Sequence, residues 1–155
     1  MIDGTAAAMW AWIVSFPITI ATFSRVAAPL GLWGKLAFAG FGIGFAVETV
    51  ADYQKFVFKN KPENTDRWID TGLYSVCRYP NYLGEMIVWW SLLGAALPLL
   101  RGPAQLALGF ASPAFLTSLL LFVSGIPMLE QQHEKRYGRN PAFREYVART
   151  PALVP

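Results

Sequence analysis

The chain has 155 residues, of which 54% are hydrophobic and 15% are charged, and its formal net charge is +3. A soluble domain of this length carries about a quarter charged residues, so the composition favours a membrane protein. The small net charge argues against a nucleic-acid partner, and a single cysteine excludes an internal disulfide.

Four apolar stretches predict membrane-spanning helices, which need ~20 residues each. They are residues 4–24, 36–51, 86–100 and 102–129. In the last of them Pro113 is expected to open a helix, because proline suits the first helical turn. The sequence therefore predicts an all-α fold: a polytopic transmembrane bundle of about four spans, followed by a short tail helix.

The distribution of Lys and Arg predicts the orientation of this bundle. With four spans, the loop 52–80 and the tail 130–155 share one face and hold ten of the 13 basic residues, against three on the other face. Positive residues favour the cytoplasmic side. We therefore expect a multi-pass protein with both termini in the cytoplasm, in the inner membrane of a bacterium or an internal membrane, such as the endoplasmic reticulum, of a eukaryote.

Two acids lie near the predicted cytoplasmic end of the second span. Glu48 and Asp52 are four residues apart, so on a helix they point the same way. Ionised groups beside hydrocarbon need partners and are often functional. The alternative is structural: salt bridges to the available cations would close the end of the bundle. Those cations are Lys55, Lys59, Arg67 and Arg78.

The segment RYPNYLGE, residues 78–85, precedes the third span. Pro80 is expected to open that helix, with Asn81 and Glu85 on one face and Arg78 just before the start. A helix amino terminus beside an arginine suits phosphate or another anion. The alternative is an aromatic belt at the membrane interface with a capping asparagine, which leaves Glu85 unexplained.

The tail after the fourth span repeats this polar pattern. Glu130, His133 and Tyr137 recur at helical spacing, and His133 is the only histidine in the chain. Without a second histidine, and with Cys77 and the acids scattered, no metal-ligand spacing is present. Neither a glycine-rich phosphate loop nor a nucleophile elbow occurs.

Three segments together resemble one protein family: ETVADYQKF, TGLYSVCRYPNYLGE, and FVSGIPMLEQQHEKRYGRNPAFREYVARTPALVP. They are similar to the carboxyl-terminal half of the steroid 5-alpha-reductase-like membrane proteins, above all to their uncharacterised bacterial and algal branch, and more distantly to sterol reductases. The resemblance covers residues 35–155. Residues 1–34 then form a separate amino-terminal transmembrane segment that carries none of the quoted motifs.

The resemblance implies an oxidoreductase that uses NADPH to reduce a carbon–carbon double bond of a lipid or steroid-like substrate. Carried over residue by residue, it implies that eight positions hold the dinucleotide: Asp52, Arg67, Arg78, Asn81, Tyr82, Glu85, His133 and Tyr137. Of these, Arg78 and Tyr82 are included because they belong to the matching motif, and the other six fall where the reductases hold the dinucleotide.

The chain departs from this family at its amino end. The substrate-side acid and the proton-donating tyrosine of the family lie on early spans. Residues 1–34 contain Asp3 as their only acid, and no tyrosine precedes Tyr53. Catalytic residues are therefore not identified. Three interpretations stay open: a truncated gene model, a fragment, or a family member that has lost half of its site.

Two other functional classes remain open. A membrane methyltransferase similar to isoprenylcysteine carboxyl methyltransferase shares the arginine-proline-tyrosine-glycine pattern and the tail layout, and would bind S-adenosylmethionine. Asn81 and Glu85 favour the reductase over it. The remaining class is a non-catalytic membrane protein in which the polar cluster is structural or binds lipid.

Overall fold

The computed structural model describes residues 15–23 and 31–154, and every regular element within them is helical. This confirms the all-α fold. The α-helices are α1 (Phe16–Phe23), α2 (Leu32–Lys59), α3 (Pro80–Ala96), α4 (Gly102–Ser118), α5 (Ile126–Tyr137) and α6 (Pro141–Arg149). Short 3₁₀ turns cover Pro62–Asn64, Gly72–Ser75 and Leu97–Leu99, and a π-helical turn covers Leu119–Val123.

Three helical segments of the described chain are long and apolar enough to cross a membrane: Leu32–Lys59, Pro80–Leu99 and Gly102–Tyr137. At about 1.5 Å per residue, even the shortest of them reaches the ~30 Å of a hydrocarbon core. These segments match the second, third and fourth predicted spans. The first, residues 4–24, is described only from Ser15 to Phe23, and the rest of that prediction lies outside the described residues.

The expected helix start at Pro113 is wrong. Helix α4 begins at Gly102, and Pro113 lies inside it. Pro103 already occupies the first turn, where its missing N–H costs nothing. An interior proline is tolerated in an apolar helix of this kind when neighbouring groups satisfy the freed carbonyl.

The chain divides into two compact units, each built from separate parts of the sequence. The first contains the described residues up to Ile43 together with Met86–Ser118. The second contains Gly44–Glu85 and the chain from Leu119 onward.

The first unit is an apolar helical cluster. Helix α1 packs against α4, and Leu93 and Leu116 are almost fully buried. Two indole N–H groups find partners inside it: Trp33 Nε1 donates to the Gly94 carbonyl at 2.9 Å, and Trp90 Nε1 donates to a threonine hydroxyl at 3.0 Å.

In the second unit, α2 and α3 approach closely where Gly84 meets Gly44. A Cβ placed on Gly84 would lie 2.6 Å from the Glu48 nitrogen and 2.7 Å from the Gly44 oxygen. Both glycines are buried, and Ala51 is completely buried farther along α2. Small residues allow two helix backbones to pack this closely. This contact places the polar ends of α2 and α3 side by side.

The tail forms the helix that the sequence predicts. The Asn140 side chain caps α6 by accepting a hydrogen bond from the Ala142 amide at 3.0 Å, and Pro141 follows in the first turn. Phe143 and Tyr146 lie one turn apart and are both buried. Helix α6 therefore presents an aromatic face to the rest of the second unit.

The glycine contact gives a stability prediction. Gly84→Ala should lower the free energy of unfolding by about 1–3 kcal/mol, because the new methyl group meets backbone atoms that cannot rotate away. Gly42→Ala is the matched control: nothing lies within 4 Å of its Cβ position, so it should be neutral or stabilising by about 0.5–1 kcal/mol. The measurement is reversible unfolding of both variants in the same detergent, followed by circular dichroism. Equal stabilities would contradict the close packing.

The span Pro80–Leu99 gives a topology prediction. In a Cys77→Ser background, which removes the one native and buried cysteine, the variants Glu63→Cys and Arg101→Cys place a thiol before and after this span. A membrane-impermeant maleimide should label them from opposite sides of sealed vesicles, since one crossing separates them. Labelling of both from the same side would show that Pro80–Leu99 does not cross.

Candidate functional site

The loop between α2 and α3 folds back onto the end of α2. The Gln54 side chain accepts a hydrogen bond from the Leu73 amide at 2.9 Å. Gly72 lies against the side-chain amide of Gln54. Its φ is positive, at 62°, a conformation that favours glycine. Near the start of the loop, Asn64 Nδ2 donates to the Phe58 carbonyl at 2.9 Å. These contacts fix the loop that carries Arg67 and Trp68.

The carboxyl-terminal residues hold the other end of this loop. The Arg78 amide donates to the Pro151 carbonyl at 2.9 Å, and the Tyr79 amide donates to Ala152 at 3.1 Å. The Tyr146 hydroxyl donates to the Tyr74 carbonyl at 2.8 Å. Loop and tail are thus joined by backbone bonds that do not depend on side-chain identity at 78 and 79.

Glu130 on α5 binds the side chains of the same two loop residues. Arg78 Nη1 donates to the two Glu130 oxygens at 2.8 and 2.9 Å, and the Tyr79 hydroxyl donates to Oε1 at 2.7 Å. Burial raises the pKa of the Tyr79 hydroxyl, and its hydrogen bond to Glu130 raises it further. Tyr79 therefore keeps its proton at physiological pH and acts as a donor to the carboxylate.

A row of aromatic rings continues from this group. The Tyr79 ring stacks with Tyr82, with centroids 5.9 Å apart, and with His133 at 6.4 Å. His133 contacts Tyr137 and Phe143 in turn. Aromatic rings at these centroid distances attract one another, so the row holds its members in fixed positions.

These elements enclose a cavity with a volume of about 180 Å³. Five cations and no carboxylate line it, and most of its other walls are aromatic. The lining residues are Lys55, Phe58, Lys59, Arg67, Trp68, Ile69, Tyr74, Arg78, Tyr79, Leu129, Gln132, His133, Arg136, Tyr137, Phe143 and Tyr146. The cavity therefore favours an anionic ligand that carries a planar group.

Four of the eight residues that the sequence assigned to a cofactor line this cavity: Arg67, Arg78, His133 and Tyr137. The other four, Asp52, Asn81, Tyr82 and Glu85, lie outside its lining, on α2 and α3. Tyr82 is connected to the cavity through its stacking with Tyr79.

The acids of α2 and α3 form a separate group. Glu85 is close enough to Glu48 and Asp52 to interact electrostatically with both. The ion pairs found in residues 15–23 and 31–154 use other acids: Glu130 with Arg78, and Asp66 with Arg136. Among these residues, therefore, Glu48 and Asp52 form none of the salt bridges that the structural alternative requires. The two ion pairs that are present join the loop to α5.

Several cavity residues were not identified from the sequence. Trp68, Tyr74 and Tyr146 carry no charge, and the resemblance assigned them no role although Tyr74 and Tyr146 stand in the quoted segments, so they were indistinguishable from core residues. The available signal was weak: Phe143 and Tyr146 repeat at a spacing of three along a short polar helix.

Metal binding and nucleophilic catalysis by a cysteine find little support in the described residues. In the described parts of the chain, no three His, Cys, Asp or Glu side chains are arranged to hold a metal ion. Cys77 is buried, and burial raises the pKa of its thiol. A buried protonated thiol is a poor nucleophile.

The Glu130 contacts give a prediction that isolates one carboxylate. Glu130→Gln should lower the free energy of unfolding by about 1–3 kcal/mol, because it weakens three charge-assisted bonds and leaves the half-buried Arg78 without a counter-charge. Glu134→Gln is the same change on an exposed position of α5 and should be nearly neutral. Urea unfolding in mixed micelles measures both. A Glu130→Gln protein as stable as Glu134→Gln would rule out this structural role.

Comparison with known proteins identifies one family. The family model DUF1295, described as a protein of unknown function, matches residues 5–150. No curated protein and no solved structure matches the chain. DUF1295 comprises membrane proteins with a steroid 5-alpha-reductase-like relationship, in keeping with the three apolar helices. Because the match covers nearly the whole sequence, the chain belongs to the DUF1295 family.

Proposed function

We propose that this protein is an integral membrane reductase that binds NADPH in the cavity between loop and tail and acts on a carbon–carbon double bond of a lipid or steroid-like substrate. One observation carries the proposal. Arg67 and Arg78 come from the loop, His133 and Tyr137 come from α5, and these four residues, which the resemblance assigns to the cofactor, line one cavity.

The residues present fit the anionic part of a dinucleotide. Lys55, Lys59 and Arg67 line the cavity and take part in no ion pair within the described residues, so their charge is available to phosphate groups. His133 and Tyr137 supply rings for a base or nicotinamide. A volume of about 180 Å³ is below the 300–1,000 Å³ typical of sites for whole ligands, so the cavity accommodates part of the molecule.

When bound, NADPH supplies a hydride to the substrate. The described residues contribute binding and orientation: the cations hold phosphate, and the Arg78–Glu130–Tyr79 group fixes the wall of the site. The apolar helices favour a substrate that is dissolved in the bilayer. We further propose that the cavity faces the cytoplasm, as the excess of basic residues in loop and tail implies.

The alternatives fit the cavity less well. S-adenosylmethionine carries a sulfonium cation, which a lining of five cations and no carboxylate disfavours. A purely structural cluster would leave Lys55, Lys59 and Arg67 close together without carboxylate partners, which raises the free energy of the fold.

A binding experiment tests this function. The purified protein should bind NADPH more tightly than NADH, which lacks one phosphate, and should not bind S-adenosylmethionine. Arg67→Ala should weaken NADPH binding about tenfold or more, the effect of losing a charge-assisted contact. The matched control is Arg139→Ala, an exposed arginine outside the cavity lining, which should bind like the wild type. Isothermal titration calorimetry in one detergent measures all three proteins.

Two results would contradict the proposal. Binding of S-adenosylmethionine without binding of either nicotinamide cofactor would assign methyl transfer instead. Absence of binding to all three compounds, in a protein whose unfolding is cooperative, would favour a non-catalytic membrane protein.

A further inference from the structure

Three buried hydrogen-bond donors on residues that line the cavity have no partner within the described residues. They are the indole N–H of Trp68, the hydroxyl of Tyr74 and the Nε–H of Arg78, and all three residues line the cavity. Native proteins rarely leave buried donors unpaired, because the lost hydration is not recovered. Three such donors, all on residues that line one cavity, are the observation from which we argue that a ligand supplies the acceptors.

The charges around these donors narrow the choice of acceptor. Arg78 is paired with Glu130, and Arg136 with Asp66. Lys55, Lys59 and Arg67 remain as cations that form no ion pair in the described chain. A ligand that satisfies three donors and balances several positive charges needs several oxygen atoms and more than one negative charge, as phosphate and diphosphate provide.

The donors are also held in place before a ligand binds. The Trp68 ring packs edge-on against Tyr137 and Phe143, with centroids 5.7 and 5.2 Å away. The Tyr74 carbonyl accepts the Tyr146 hydroxyl, and Glu130 fixes the Arg78 guanidinium. Groups that are already fixed lose little conformational entropy on binding.

We propose that Trp68, Tyr74 and Arg78 form a phosphate-binding subsite, with Lys55, Lys59 and Arg67 supplying its charge. The inference rests on the proposed function because it uses the same cavity. It goes beyond that function because the family resemblance assigned only Arg78 of the three donors. The phosphate belongs either to a nucleotide cofactor or to the head group of an anionic lipid. The chemistry of the subsite is the same for both sources.

The test exploits the fact that the donors are unpaired in the free protein. Tyr74→Phe removes only a hydroxyl, so the ligand-free protein should melt at the same or a higher temperature. Its dissociation constant for pyrophosphate should rise by about tenfold or more. Trp68→Phe should weaken binding to a similar degree. Melting temperatures across a pyrophosphate titration report both quantities, because a ligand stabilises the state that binds it.

Two tyrosines serve as matched controls. Tyr53 is 67% exposed on α2, so Tyr53→Phe should retain the wild-type stability and pyrophosphate response. The Tyr146 hydroxyl is buried and already donates to Tyr74, so Tyr146→Phe should lower the melting temperature without ligand. If Tyr74→Phe behaves like Tyr146→Phe and keeps the wild-type pyrophosphate response, its hydroxyl is structural and the subsite is wrong.

Further arms identify the source of the phosphate. The first adds adenosine 2′,5′-bisphosphate to the detergent-purified protein, and the second compares phosphatidylcholine nanodiscs with and without phosphatidic acid. If a compound stabilises the wild type but neither Tyr74→Phe nor Trp68→Phe, the result supports the subsite. The arm in which this happens identifies the source of the phosphate. No stabilisation of the wild type by pyrophosphate, bisphosphate or phosphatidic acid would overturn it.

The outcomes separate this inference from the proposed function. NADPH binding that is equal in wild type, Tyr74→Phe and Trp68→Phe would leave the cofactor proposal standing and remove the phosphate subsite. Donor-dependent binding of pyrophosphate or phosphatidic acid, without NADPH binding, would support the subsite and remove the cofactor proposal.

Discussion

The carboxylate of Glu130 is the interaction on which the second unit depends. It accepts hydrogen bonds from Arg78 and Tyr79, which immediately precede the first residue of α3, and so ties the start of that helix to α5. The ion pair is partly shielded, with side-chain exposures of 16% for Arg78 and 37% for Glu130. Its attraction is therefore less screened by water than that of a surface pair. The backbone bonds to Pro151 and Ala152 act on the same two residues, so loop and tail close on each other and leave the cavity between them.

This arrangement has an energetic consequence. The cavity collects five cations, buried donors without partners, and stacked rings. In the free protein the unpaired donors and neighbouring positive charges are destabilising, and the packing of Trp68, Phe143 and Tyr146 offsets that cost. Sites that bind ligands tightly are commonly built this way, because a preorganised group gains its full interaction only when the ligand arrives. Under the proposed function, stability and ligand binding place opposite demands on the same residues.

Helical spacing in the sequence correctly grouped residues along each helix, but it did not say which helix they would face. Asn81 and Glu85 follow Pro80 on α3 as predicted, yet they fall outside the cavity lining, and Glu85 lies close to Glu48 and Asp52 instead. The reason is the contact at Gly44 and Gly84, which brings α2 and α3 together. The two ion pairs likewise join residues more than 50 positions apart, a separation that local spacing does not encode.

The sequence by itself determined the all-α class, three of the apolar spans, the start of α3 at Pro80 and a helix in the tail, because hydrophobic length, helical spacing and proline geometry act locally. It also named Arg67, Arg78, His133 and Tyr137 through a family resemblance. Only the tertiary structure decided that Glu130 pairs with Arg78, that α4 passes through Pro113, and that Trp68 and Tyr74 line the same cavity while their buried donors have no partner in the described residues. Those features depend on which distant segments meet, and burial turns an ordinary aromatic side chain into a donor that needs a partner.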